Sequence, residues 1–219
     1  MSAITPQMWG AILTGLWETL QMVGITSFFT VMIGLPLGVL LFLLPTLGGF
    51  WRNIARVLGV IVNVTRSFPF AILMLSLIPL ARLIVGSSVG PVAATVSLTI
   101  AAVPFFARLV ETALRDLPSG KTDAAIAMGS SRFQVVSKVW LPEAMPTILS
   151  AVTTMIVTVI GYSAMAGLIG GGGLGRLAYN YGYQRYIPEV MVVTVVILVV
   201  IVQLVQWVGD ALSRAVDHR

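Results

Sequence analysis

The sequence predicts an all-α integral membrane protein with five transmembrane helices. Three observations carry this. Hydrophobic residues make up 58% of the 219 residues and charged residues only 10%, against roughly 25% charged in an average soluble domain. The mean hydropathy is +0.99. The few charges cluster in short gaps between apolar stretches, each long enough to cross a hydrocarbon core that needs about 20 helical residues. A soluble chain of this length could not cover its surface with so few charges. The net charge of +5 and pI ≈ 10.1 would suit nucleic acid, but the basic residues are scattered between apolar runs, so nucleic acid is not an expected partner. The chain has no cysteine and one histidine, His218, beside its last residue. Disulfides, thiolate or histidine metal clusters and cysteine nucleophiles are therefore excluded, and no catalytic residue, metal or cofactor is expected.

Residues 1–17 read as an external tail, 18–210 as the membrane domain and 211–219 as a cytoplasmic tail. No charge occurs between Glu18 and Arg52, and Phe28 to Leu47 is almost purely apolar, which gives the first span. The second runs from Arg56 to Ile84, interrupted by Arg66 and Pro69. It is the weakest: between Arg66 and Arg82 lies only about 22 Å of uncharged helix at 1.5 Å per residue. The third, Pro91 to Val110, ends in the charged group Arg108, Glu111, Arg115 and Asp116. The fourth, about Pro146 to Ile169, lies in the charge-free interval from Glu143 to Arg176, and the fifth lies between Glu189 and Asp210. Glu111 with Arg115 and Asp210 with Arg214 read as ordinary surface i,i+4 pairs.

Orientation follows from Lys and Arg in the short loops. None precedes the first span; Arg52, Arg56, Arg115, Lys121, Arg132, Lys138, Arg214 and Arg219 fall on one side. That side is read as cytoplasmic, with the N-terminus outside and the C-terminus inside. The start also lacks the positive region and cleavage site of a signal peptide, so the first span is expected to remain.

The longest loop, about 117–145, reads as two short helices on the cytoplasmic side. Thr122 is a candidate cap for a helix through Asp123, Ala124, Ala125 and Met128, with Asp123 favourable in its first turn. Gly129 is a left-handed stop. Ser131 with Gln134 forms a capping box for a second helix, which Leu141-Pro142 is expected to end because proline has no N–H to continue it. The small Ala124 and Ala125 would let another backbone approach, and Met128, Phe133 and Val136 offer apolar contacts. From these residues alone, a connector lying on the headgroups fits equally well.

Asp123-Ala124-Ala125, three residues, Gly129, nine residues, then Val139-Trp140-Leu141-Pro142 resembles the E-A-A-x3-G-x9-I-x-L-P loop of ABC importer permeases, with Asp for Glu and Val for Ile. The resemblance implies the type I importer permease fold and docking of this loop on a separate ATP-binding subunit. Asp123, Ala124, Ala125, Met128, Gly129, Phe133, Leu141 and Pro142 would then couple to the ATPase. Two other motifs are decoys. Gly120-Lys121-Thr122 looks like the end of a P-loop, but Arg115 stands where that motif requires glycine, and a membrane helix precedes it in place of a strand. Gly170, Gly172 and Gly175 satisfy G-x-G-x-x-G without a βαβ unit or the later acid. ATP and magnesium are thus expected on the partner ATPase.

The glycine run Gly170, Gly171, Gly172, Gly173 and Gly175 reads either as a loose external loop or as a hinge at the outer end of the fourth span. Gly161-Tyr162-Ser163-Ala164-Met165-Ala166-Gly167, that run, Ala178-Tyr179 and Tyr181-Gly182-Tyr183 resemble the methionine-importer permease subfamily, as do Arg66-Ser67-Phe68-Pro69-Phe70 and Pro104-Phe105. That resemblance implies a bacterial inner-membrane homodimer, two copies of a cytoplasmic ABC ATPase and an external methionine-binding lipoprotein. Tyr162, Ser163 and Met165 would line the substrate path, Met165 offering a polarizable thioether; core packing is the other reading of Met165. Arg66 either snorkels to the headgroups or lies near the path. The rivals are an importer of another amino acid or small peptide, an ion-coupled transporter and a membrane scaffold. No mid-span acid suggests ion coupling.

Overall fold

The computed structural model describes residues 5–217; Met1 to Ile4 of the expected tail, and His218 and Arg219, lie outside the described residues. Among the described residues every regular element is helical. Helix α1 spans Pro6–Thr46, with Thr5 as N-cap and Pro6 at its first position. Residues 6–17, expected as a tail, are thus its opening turns. An apolar sequence with proline at the first helical position, where no N–H is needed, starts a helix readily.

Helix α2 spans Gly49–Ser67, α3 Phe70–Ser76 and α4 Ile78–Val85. The interruption expected in the second span at Pro69 is a sharp bend: α2 and α3 meet at 103°. Phe68 and Pro69 are both extended, at ψ 130°. Proline disfavours helical geometry in the residue before it, so the break sits where Phe68 meets Pro69. Helix α5 spans Pro91–Arg115 and α6 Ser119–Ala127. Helix α7, Arg132–Val135, passes through a π-helical turn, Val136–Trp140, into α8, Leu141–Ala166. Gly167–Gly171 is a kinked turn in which Ile169 and Gly170 leave helical geometry; it leads to α9, Gly173–Leu177, and a second π turn, Ala178–Gln184, precedes α10, Pro188–Val216.

Four helical stretches are long and apolar enough to cross a membrane, or five if the bent α2–α3 pair is one span. The chain runs the length of the bundle five times. At one end Gly90 donates to Gly170 O at 2.9 Å, and Gly173 donates to Glu18 Oε2. At the other, Arg132 reaches Thr46 O, and Phe42 packs edge-on to Trp140 at 4.8 Å. Helix α2 leaves the Thr46 end, and α4 ends just before Gly90. The broken segment therefore traverses the bundle.

Helix α1 buries a stripe of small residues, Gly15, Thr19, Thr26, Thr30, Gly34 and Gly38. Small residues let membrane helices approach closely where apolar burial gives no net drive. At Gly38 a Cβ would meet both Ala107 O and Val110 Cβ at 2.6 Å. Behind this seam α5 and α8 share a core of Phe106, Val110, Leu114, Ile148, Met155 and Val159, which extends to Ala125, Val135 and Trp140.

Candidate functional site

The loop between α5 and α8 folds into a knob at the Thr46 end. Helix α6 begins at Ser119 behind Pro118, so Thr122 does not cap it and Asp123 lies past its first turn. The Thr122 hydroxyl instead accepts from Trp140 Nε1 at 3.0 Å, tying α6 to the π turn. Gly129 has φ +82°. Ser130 donates to Ala125 O and Gly129 to Ile126 O, at 3.0 and 2.9 Å. This pair closes the helix in a Schellman motif, which requires the left-handed residue that glycine supplies at little cost. The expected capping box is present: Gln134 N donates to Ser131 Oγ, and Ser131 N to Gln134 Oε1 at 2.7 Å.

Pro142 does not end the helix as expected. It stands in the first turn of α8, directly after the π turn, where Leu141 N–H donates to Val136 O. A proline clashes with the carbonyl four residues back and leaves it without a donor. The wider π register around that point absorbs both effects, and the helix runs on without a break from Arg132 to Leu168, ahead of the kink at Ile169 and Gly170. The knob is thereby fused to the fourth crossing. Met128 is 82% and Phe133 79% exposed, with Ile126 beside them. Asp123 and Ala124 are exposed, but Ala125 is buried in the core, and Leu141 and Val136 pack against that core. Ala125 therefore supports the knob from inside and offers no surface. Lys121, of the P-loop decoy, pairs with Glu143 at 2.6 Å.

At the opposite end the glycine run is packed and ordered by contacts. Gly167 and Gly171 through Gly175 are buried, with Gly170 at the rim. Glu18 Oε2 accepts from Gly173 N–H at 2.6 Å, and Thr19 Oγ1 accepts from Leu174 N–H at 2.9 Å. Two consecutive α1 side chains thus cap the start of α9, and Arg176 lies 3.6 Å from Glu18. Gly173, at φ +75°, has Thr19 Oγ1 and Met22 Cε at 2.7 and 2.8 Å from where a Cβ would stand. The reading as a loose loop is wrong.

Along α8 an exposed face carries Thr147, Ser150, Thr154, Gly161 and Met165, with Thr158 half-buried among them. Their spacing by threes and fours makes one stripe. A helix facing acyl chains gains nothing from such residues, so the stripe suits water or another protein surface. Met165 is 41% exposed, against the core reading. Tyr162 stacks flat on Phe70 with ring centroids 4.5 Å apart. Ser163 is buried and donates to Ile160 O at 2.7 Å, so it faces inward. Arg66 is exposed in the last turn of α2, four residues before Phe70. No acid among the described residues pairs with it.

The charged residues of α5 depart most from expectation. Glu111 is 5% exposed and is bonded at 2.5 Å to both Arg108 and Arg115. Arg108 also donates to Gly59 O and Asn63 Oδ1, at 3.2 and 3.0 Å, binding α5 to α2. Glu111 is held inside the bundle, while Arg108 is 24% and Arg115 67% exposed, so the cluster is anchored within and reaches the surface chiefly through Arg115. Asp210 and Arg214 form no ion pair with each other. Of these residues sequence reasoning missed Glu18 and the Glu111 cluster. The one available signal was that each is an acid at the edge of an apolar run.

The family model described as "binding-protein-dependent transport system inner membrane component" matches residues 34–219. The chain is 49% identical, over 226 aligned residues and the full length of both, to a probable D-methionine transport system permease protein MetI of Vibrio cholerae serotype O1. It is 45% identical to the corresponding protein of Pasteurella multocida, over 99% of this chain and 100% of that one. It superposes on a solved structure of the inward-facing MetNI methionine ABC transporter with a TM-score of 0.93 and 45% identity, covering 98% of this chain and 100% of that one.

Proposed function

The chain belongs to the family of binding-protein-dependent transport system inner membrane components, and from this we infer that it is the non-catalytic permease subunit of an ATP-driven importer of methionine and close analogues. Two copies would surround the path and pair with two cytoplasmic ABC ATPases, which hold ATP and magnesium, while an external methionine-binding lipoprotein delivers substrate. The N-terminus lies outside and the C-terminus in the cytoplasm. Residues 18–210 form the transport unit and 117–145 its coupling loop. The resemblance of the loop and the kinship to methionine permeases support this.

The observation that carries the reading is the knob: exposed Ile126, Met128 and Phe133 on a turn fused to the rod that ends in the glycine run. Closure of the ATPases on ATP would draw two knobs together, and the rods would carry that motion to the outer end, opening the path outward. Hydrolysis resets it. In this reading Met165, Tyr162 and Arg66 line the path, and Asp123, Ala124, Met128, Gly129, Phe133 and Pro142 meet the ATPase, with Ala125 and Leu141 supporting the contact from within. Gly170 to Gly173 and Gly175 form the outer element that moves as a packed unit.

The test is reconstitution with the ATPase and binding protein. A Cβ at Gly129 would meet nothing within 4 Å, so the main folding cost of Gly129→Asp is that of a left-handed aspartate, about 1 kcal/mol. It should assemble, yet lose ATP-dependent methionine uptake. Undiminished uptake would remove the coupling role. Since the chain has no cysteine, Ser131→Cys and Asn180→Cys report sidedness directly. In intact spheroplasts an impermeant thiol reagent should label position 180 and spare 131; the reverse overturns the orientation.

A further inference from the structure

Helices α8 and α10 cross where Gly209 lies against Thr153. They are tied nearby by Ser213, which donates to Pro146 O at 2.9 Å and lies 3.1 Å from Ser150 Oγ. The two grooves flanking this crossing differ in chemistry. One is lined by Leu149, Val152, Ile156, Leu204, Val208 and Leu212 and suits acyl chains. The other is a cleft of ≈ 500 Å³ in which Ser150, Thr154, Thr158, Gln203, Gln206 and Asp210 stand beside Thr153, Val157 and the Trp207 indole. That volume falls within the range of about 300–1,000 Å³ usual for small-molecule sites. Helix α10 ends at Val216, so Asp210 lies about 9 Å and Gln203 about 20 Å from its end at 1.5 Å per residue. The cleft therefore runs from the Thr46 end towards mid-depth.

The hydrogen-bond inventory fixes what this cleft can bind. Thr154 Oγ1 donates to Ser150 O at 2.9 Å, and Thr158 Oγ1 to Thr154 O at 2.8 Å. With their hydrogens committed, these hydroxyls present lone pairs only. Gln203 Nε2 donates to Gln206 Oε1 at 3.1 Å, which leaves Gln203 Oε1 as an acceptor. Gln206 Nε2 remains as an amide donor. Asp210 adds a carboxylate, and Arg214, one turn on, forms no ion pair with it. Set against two donors, Gln206 Nε2 and the Trp207 indole N–H, the lining offers several acceptors and one carboxylate, at the end of the bundle where Arg52, Arg56, Arg115, Lys121, Arg132 and Lys138 also lie. Asp210 is exposed just past the charge-free stretch of α10, so its carboxylate stands at the mouth of the cleft.

We propose that the cleft between α8 and α10 is a binding site for a primary ammonium group, that of the amino acid in transit. Asp210 is its counter-ion, and Thr154, Thr158 and Gln203 accept its hydrogens. The identity of the ligand rests on the importer reading above; the charge selectivity of the cleft does not.

The absence of cysteine makes the test direct. Thr154→Cys, in the assembled complex with its ATPase, is treated with methanethiosulfonates carrying an ethylammonium or an ethylsulfonate group. Each rate is normalised to that with free cysteine. The cationic reagent should lead by on the order of tenfold, as expected for one unit charge several ångströms away in a partly solvated cleft. Asp210→Asn should bring the ratio close to one, while Asp210→Glu keeps it. Methionine should protect the thiol, and its 2-hydroxy analogue, lacking the ammonium, should protect weakly. Thr158→Cys repeats the measurement if the first variant does not assemble. Equal rates for the two reagents, a ratio unmoved by Asp210→Asn, or no reaction with either would overturn the site. Methionine uptake by the unsubstituted complex is measured in parallel. Charge-selective labelling without methionine uptake would refute the importer reading and leave the ammonium site standing.

Discussion

Removing the Glu18 carboxylate should release the glycine-rich outer segment without unfolding the bundle. Glu18 accepts from Gly173 N–H at 2.6 Å, while Arg176, half-exposed at 3.6 Å, adds a weaker ionic contact. A hydrogen bond to a charged group contributes about 1.5–3 kcal/mol, and a solvent-facing ion pair only about 0–1. Glu18→Ala should therefore cost the segment about 2 kcal/mol of local stability. At about 1.4 kcal/mol per factor of ten, its open population rises roughly thirtyfold. Glu18→Gln keeps an acceptor oxygen but not the charge, and should lose about 1 kcal/mol, roughly fivefold. Thr19 still holds Leu174 N–H in both variants, so α9 loosens at its first residue and stays docked. Hydrogen exchange of the peptide spanning 170–177, in the detergent-purified complex, reads this directly, with a peptide from the buried part of α5 as control. Exchange should quicken in the order wild type, Gln, Ala, with the α5 peptide unchanged. Identical exchange in Glu18→Ala and wild type would refute the reasoning, because the carboxylate would then hold nothing.

Glu111→Ala leaves Arg108, 24% exposed, without its counter-ion, and the loss should approach from below the about 3–5 kcal/mol of a broken buried pair. Membrane-inserted protein should fall sharply, and Glu111→Leu with Arg108→Leu should recover much of it; equal yields for Glu111→Ala and wild type would contradict the buried-cluster account. Met165→Ala removes a side chain that is 41% exposed, so it should cost well under the roughly 2–5 kcal/mol of a buried methionine. Inserted protein should match wild type while uptake rate or substrate range changes, both measured on the same vesicles; lost protein with unchanged uptake per molecule would place Met165 in the core.

Features whose cause lies within a few residues are legible in the amino-acid sequence alone. The apolar runs, the left-handed stop at Gly129 and the Ser131–Gln134 box each depend on neighbours three to six positions away. The backbone physics that sets them leaves little to context. The break at Phe68-Pro69 is signalled by the proline, though not its angle, because the residues beyond the break are placed by α5 and by the Phe70–Tyr162 stack.

Other local rules meet a tertiary competitor and lose. Pro142 by itself should end a helix, but a π turn anchored by Trp140, held in the core and bonded to Thr122, carries the chain through it. Thr122 by itself suits a cap, yet the same bond places it inside α6. Ser163 groups with Tyr162 and Met165 by position in the chain, and only the packing of α8 turns it inward. Glu18 and Gly173 are 155 positions apart, and Arg108 meets Asn63 across 45. No periodicity or composition encodes such meetings. The sequence by itself determined the membrane, the helices and the knob, because water, lipid and nearest neighbours act on each residue where it stands in the chain. Which acid holds the outer glycines, which is buried between two arginines and which is left facing an open cleft were decided only by tertiary structure, because each depends on how five crossings are rotated about their axes.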